Sequence, residues 1–248
     1  MSGHSKWHNI RLRKGVQDAK RGNLFTKLAR EIIMSARSGG GSMDTNLRLR
    51  MAVTKAREAS MPADKIKLNI QRGTGEAGDG AQFEEIIYEG YGPGGAAFVV
   101  ECATDNKNRT VGSIRSIFTK NGGRLGEAGS VAYRFEDVGI ITIAKSAIGE
   151  DELFELAIEA GAEDVIADDE FYTVTTQAGD FGSVRQAIED AKITMISAEY
   201  TKRPTDTVTL DESDTETALK LMDKLEDDDD VQRVHVNIEM TDEALAAV

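Results

Sequence analysis

The chain is poor in the residues that staple or catalyse: one cysteine, three histidines, three prolines and one tryptophan in 248 residues. Cys102 alone cannot form an internal disulfide, which fits a reducing cytoplasm. His4, His8 and His235 have no zinc-ligand spacing with it. No nucleophile–base pairing stands out, so an enzyme is not expected, and neither is a metal or cofactor. No apolar run approaches the roughly 20 residues of a membrane span, and no apolar h-region follows the start. The basic opening has the flavour of a mitochondrial presequence. It nevertheless contains Asp18 and Glu31 and runs straight into patterned helices, so it is read as part of the fold.

Charge of one sign is also scarce locally. The formal net charge is −13, yet residues 1–77 hold 16 Lys/Arg against 6 Asp/Glu, a net +10. The remaining 14 Lys/Arg and 37 Asp/Glu leave a body of −23. Basic residues gathered in one segment mark a polyanion-binding module. Mutual stabilisation of basic and acidic parts is the plainer alternative.

The length suits two or three small domains. Phe25, Leu28, Ala29, Ile32, Ile33 and Ala36 recur at helical spacing and predict a helix over 20–37, stopped by SGGGS (38–42). Asp44 or Thr45 is expected to cap a second helix that buries Leu49, Ala52, Val53, Ala56 and Ala59. Pro62 opens a third, with Ile66 and Ile70 inward. GTGEAGDG (73–80) reads as a linker. Downstream, strands are expected at 86–89, 96–103, 131–135, 139–144, 171–176, 194–200, 207–210 and 231–240, with a short one near 164–167. Helices are expected near 109–120, 151–160, 181–191 and 214–226. The order over 139–200 is the split βαβ, ferredoxin-like one. The expected fold is α+β in three domains: a basic helical domain over 1–77, a discontinuous α+β domain over 81–136 and 206–240, and a similar one inserted at 137–205.

The candidate nucleic-acid contacts are Lys6, Trp7, Arg11, Arg13, Lys14, Lys20, Arg21, Lys27, Arg30, Arg50, Arg57, Lys65 and Arg72. Cations at this density neutralise successive phosphates and release counterions. Trp7 can stack on a base, although a hydrophobic anchor is the better reading for that residue alone. YEGYGPGG (88–95) lacks the Lys-Ser/Thr of a phosphate loop and reads as a tight turn. EDDDD (226–230) lacks the glycine and ligand offsets of a calcium loop and reads as a solvated turn. Arg109, Arg115, Lys120 and Arg124 form a smaller basic group, better explained as ordinary surface charge.

GHSKWHNIRLRKGVQDAKRGNLFTKLAREI, NLRLRMAVTKAREASMPADKIKLNIQRGTGE, YEGYGPGG, VECATDNKNRTVGSIRSIFTKNGGRLGEAGSVAYRFE and AGAEDV (160–165) together resemble the YebC/PmpR family, which includes the mitochondrial translational activator of cytochrome c oxidase. SGGGSMDTNLRLR departs from the acidic, proline-containing turn usual there, and the chain after about 200 matches more loosely. The resemblance implies three domains and a bacterial cytoplasmic protein. It further implies a DNA-binding transcriptional regulator or, alternatively, a factor bound to the ribosome and ribosomal RNA that assists synthesis of proline-rich stretches. No convincing helix-turn-helix is present.

Overall fold

The computed structural model describes residues 21–78 and 83–239. The described residues divide into two compact units, one of residues 135–206 and one of the described residues on either side of it. The architecture is α+β, a helical region followed by two four-stranded sheets.

The flanking unit begins with α1 (Arg21–Gly39), α2 (Leu47–Glu58) and α3 (Ala63–Thr74). Ile32, Ala36, Leu49, Ala52, Val53, Ala56, Met61 and Ile66 are its core, as the three- and four-residue spacing requires. Helix α1 runs through Gly39 and ends where Gly40 adopts a φ of +83°. Neither Asp44 nor Thr45 caps α2. Asn46 does, accepting the Leu49 N–H at 3.0 Å through Oδ1. Its Nδ2 donates to the carbonyls of Ser35 at 2.7 Å and Gly40 at 2.8 Å. An amide serves here where a carboxylate or hydroxyl cannot, because the site takes two donated hydrogens and an acceptor together, whereas a carboxylate donates none and a hydroxyl only one. Gly73 lets α3 close on α1, since a Cβ there would sit 2.4 Å from the Ile33 carbonyl oxygen.

The sheet of this unit uses β1 (Glu84–Tyr91), β2 (Ala97–Thr104), β3 (Arg124–Leu125) and β8 (Val231–Val236), in the order β3-β1-β2-β8 with every pairing antiparallel. Helices α4 (Lys107–Lys120) and α7 (Glu212–Glu226) pack against each other beside it. Phe98 on β2 meets Phe118 on α4 edge-on at 5.9 Å. The glycine run between β1 and β2 is a turn, with φ of +60° at Gly94 and +80° at Gly95. Two expected strands are absent. Residues 132–134 form a single 3-10 turn ahead of Phe135, where Glu89 accepts backbone N–H groups from Gly129, Val131 and Ala132 at 2.6–2.7 Å. Those donors bond to a carboxylate instead of a neighbouring strand. Residues 207–210 make only one bridge, Val208 to Ile238.

The second unit holds β4 (Phe135–Ala144), α5 (Glu150–Glu159), β5 (Asp164–Ala167), β6 (Phe171–Gln177), α6 (Phe181–Asp190) and β7 (Met195–Pro204). Its order β5-β6-β4-β7, antiparallel throughout, is the split βαβ arrangement. Ile141, Ile143, Leu153, Val174, Phe181 and Ile188 are buried in it. Phe181 lies so close to β4 that only glycine fits at position 139.

Candidate nucleic-acid interface

The candidate cations fall into distinct environments. Lys6, Trp7, Arg11, Arg13, Lys14 and Lys20 lie outside the described residues, and Arg21 opens α1.

Lys27 and Arg30, one turn apart on α1, point at the C-terminal end of α7. The Lys27 ammonium donates to the Glu226 carbonyl and the Arg30 guanidinium to the Asp229 carbonyl. Asn23 Nδ2 adds a bond to the Asp227 carbonyl at 2.9 Å. A helix C-terminus presents unpaired carbonyls and partial negative charge, so cations settle there. Arg30 also meets the Asp230 carboxylate at 2.9 Å.

Asp230 is therefore no solvated residue of a turn. It is buried and shared by three elements: Arg109 Nη2 reaches it at 2.9 Å, Thr110 Oγ1 donates at 2.7 Å, and Thr104 lies at 3.3 Å. Burial pushes its carboxyl up. The hydrogen bonds from Thr110 and Arg109 and the charge of Arg30 outweigh that and hold it below its ordinary range. The neighbouring Cys102 thiol is pushed up to about 12 by burial and by Asp228 and Asp230, which makes it unreactive. Arg109 is thus an ion-pair partner, and Arg124 lies over the Tyr91 ring at 4.9 Å.

Arg50 donates to the Met43 carbonyl at 2.9 Å and the Asp44 carbonyl at 3.1 Å, closing the α1–α2 loop. Arg48, absent from the candidates, bridges Glu31 at 3.1 Å and Glu85. Arg72 is exposed in the last turn of α3.

Arg57, Lys65 and Lys67 differ from these. All three are exposed, on α2 and α3, and their side chains have no hydrogen-bond, ion-pair or ring partner among the described residues. Arg57 and Lys67 edge an open groove of about 660 Å³ between α2, α3 and the loop before α2. Met43, Val53, Ile66 and Ile70 form its floor. Lys67 escaped the sequence reading because it lies two residues from Lys65, on another face of α3. The four- and three-residue spacing of Ala63, Lys67, Ile70 and Thr74 is the signal that would have grouped it with the floor. Among the described residues no cluster of His, Cys, Asp and Glu is arranged for a metal, and no helix is long and apolar enough to cross a membrane.

Comparison with known proteins places these features in a family. Residues 5–76 match the model described as the TACO1/YebC protein N-terminal domain, and residues 83–238 match that of the TACO1/YebC second and third domain. A protein of Persephonella marina, named a probable transcriptional regulatory protein, is 51% identical over 250 residues, covering all of both chains. One of Chloroherpeton thalassium with the same name is 53% identical over 246 residues, 99% of this chain and 98% of the relative. The crystal structure of a conserved hypothetical protein from Aquifex aeolicus superposes with a TM-score of 0.82 at 44% identity, covering 91% of this chain and 93% of that one. The chain belongs to the TACO1/YebC family.

Proposed function

We propose that this protein is a nucleic-acid-binding regulator, a DNA-binding transcriptional regulator of the cytoplasm that performs no chemistry on its target. The regulatory part rests on full-length relatives named probable transcriptional regulatory proteins. The observation that carries the binding part is the set of exposed cations Arg57, Lys65 and Lys67, whose side chains have no partner among the described residues, on a segment of net +10. Cations already bonded within the protein have little to gain from a phosphate, whereas free ones exchange only counterions for it.

In this reading Lys27 and Arg30 anchor α1 to α7, and Arg50 shapes the loop above the groove. Phosphate contact falls to Arg57, Lys65 and Lys67 together with Lys6, Arg11, Arg13, Lys14, Lys20 and Arg21, while Arg72 already has a partner within the protein. The acidic remainder repels nucleic acid and restricts docking to this one segment.

The test is a mobility shift of a promoter duplex from the source genome, run with excess competitor RNA. The reading expects a retained shift that is lost when Arg11, Arg13, Lys14 and Lys20 are all replaced by Glu. Wild-type affinity in that variant sinks the assignment to the basic segment, and complete transfer to the competitor sinks DNA as the target.

A further inference from the structure

The groove between α2 and α3 combines an apolar floor with two free cations, and that pairing matches a particular chemistry. A phosphate alone needs the cations but not Met43, Val53, Ile66 and Ile70. An apolar side chain alone needs the floor but not Arg57 and Lys67. A nucleotide needs both, a flat and largely apolar base beside an anionic phosphate. At about 660 Å³ the groove lies within the range of small-molecule sites. Glu76, also on its edge, is a carboxylate that can accept a hydrogen bond from an exocyclic amino group of a base.

We propose that this groove receives one unpaired nucleotide of a bound strand, with the base on the apolar floor and its phosphate at Arg57 and Lys67. The proposal rests on the nucleic-acid reading above and adds to it a preference for unpaired over duplex sites. In a duplex both faces of a base are stacked, so the floor is reached only by a base that has left its neighbours. The charge distribution favours this occupant over a second protein, because the groove belongs to the +10 segment and the side chains of its cations have no partner among the described residues. Single-stranded DNA and single-stranded RNA offer the same chemistry.

The experiment uses the full chain with 12-nucleotide DNA and RNA strands, each carrying one internal 2-aminopurine, alone and within a perfect duplex. Binding is followed by anisotropy and base release by 2-aminopurine emission. The groove predicts tighter binding of single strands with a rise in emission, and the larger rise identifies DNA or RNA as the source. Removing both cations, Arg57→Ala with Lys67→Ala, should lower the log–log salt slope for single strands by about 1.4, from about 0.7 per contact. Ala63→Phe, at an exposed position of the lining, fills the groove while keeping its charges. It should abolish the emission rise and leave duplex affinity unchanged. An unaltered urea midpoint in both variants assigns these losses to the groove. Binding without any emission rise, or a rise that survives both variants, overturns the groove while leaving nucleic-acid binding intact. No binding of any strand overturns both. Displacement of the strand by an acidic, leucine-rich peptide at equal affinity makes the groove a peptide site and overturns the proposal.

Discussion

Arg30 of α1 and Asp230, the residue just before β8, form an ion pair at 2.9 Å, with side chains only 12% and 6% exposed. They stand 200 residues apart in sequence and draw together the basic opening and the acidic run near the end. Part of the charge asymmetry is therefore architectural: one carboxylate holds cations from α1 and α4, and the end of α7 attracts those of α1.

Asp230→Ala should destabilise the protein by about 2–4 kcal/mol. That is the cost of stranding buried charge, reduced because Arg109 is half exposed. Urea unfolding followed by circular dichroism measures it. Asp229→Ala should change little, because Asp229 supplies only its backbone carbonyl to Arg30. Equal effects of the two substitutions would contradict this assignment.

Acid should release the same contacts. Asp230 and Glu89 both have carboxyls held below their ordinary range. In each case burial opposes the shift, and hydrogen bonds, from backbone N–H groups in the case of Glu89, prevail. A carboxylate lowered on folding contributes stability above its unfolded value, about 4, and loses it as pH falls through the folded value. The advantage of the wild type over Asp230→Asn and Glu89→Gln should hold from pH 7 to 5 and shrink below about pH 4. Urea midpoints across that range test it, and an advantage that grows toward acid would reverse the sign of the argument.

Asn46→Ala should cost about 2–3 kcal/mol, since it removes a helix cap and leaves the Ser35 and Gly40 carbonyls without their donor. Thr45→Ala, at an exposed neighbour, should be close to neutral. Thermal unfolding of the pair decides between Asn46 and the caps suggested by spacing alone.

That contrast shows what periodicity reveals and what it leaves out. Leu49, Ala52, Val53 and Ala56 fall on one face by spacing, so α2 and its buried stripe were legible, apart from Ala59, which lies just past the helix end and is only half-buried. The split βαβ order expected over 139–200 was legible through alternating strand and helix patterns, although the strands at both ends run longer, to Phe135 and Pro204. Asn46 was not, because three polar residues in a row can each cap and only the tertiary donors at Ser35 and Gly40 choose among them. VAYRF looks like a strand by composition, but Glu89 takes its backbone donors from 40 residues away. Asp230 looked solvated for the same reason: its partners Arg30 and Arg109 are distant in sequence. For the candidate interface, the sequence marked a basic segment but could not separate cations already bonded from those left free.

Gly73→Ala should loosen the helical region, because its new methyl meets the Ile33 backbone carbonyl. A loss of about 1–3 kcal/mol is expected from overpacking, together with faster hydrogen exchange in α1 and α3. Unchanged exchange there would mean that the two helices do not need this close approach.

The central claim is that free cations of the helical region bind nucleic acid while bonded ones hold the fold. The salt dependence of oligonucleotide affinity in the full chain tests it most directly, comparing wild type with the triple variant Arg57→Ala, Lys65→Ala, Lys67→Ala. The wild type should show a linear fall of log affinity with log salt. The triple variant should lose about 2–3 from the magnitude of that slope, at 0.7–0.9 per contact, with an unchanged urea midpoint. An identical slope in the two proteins would contradict the account.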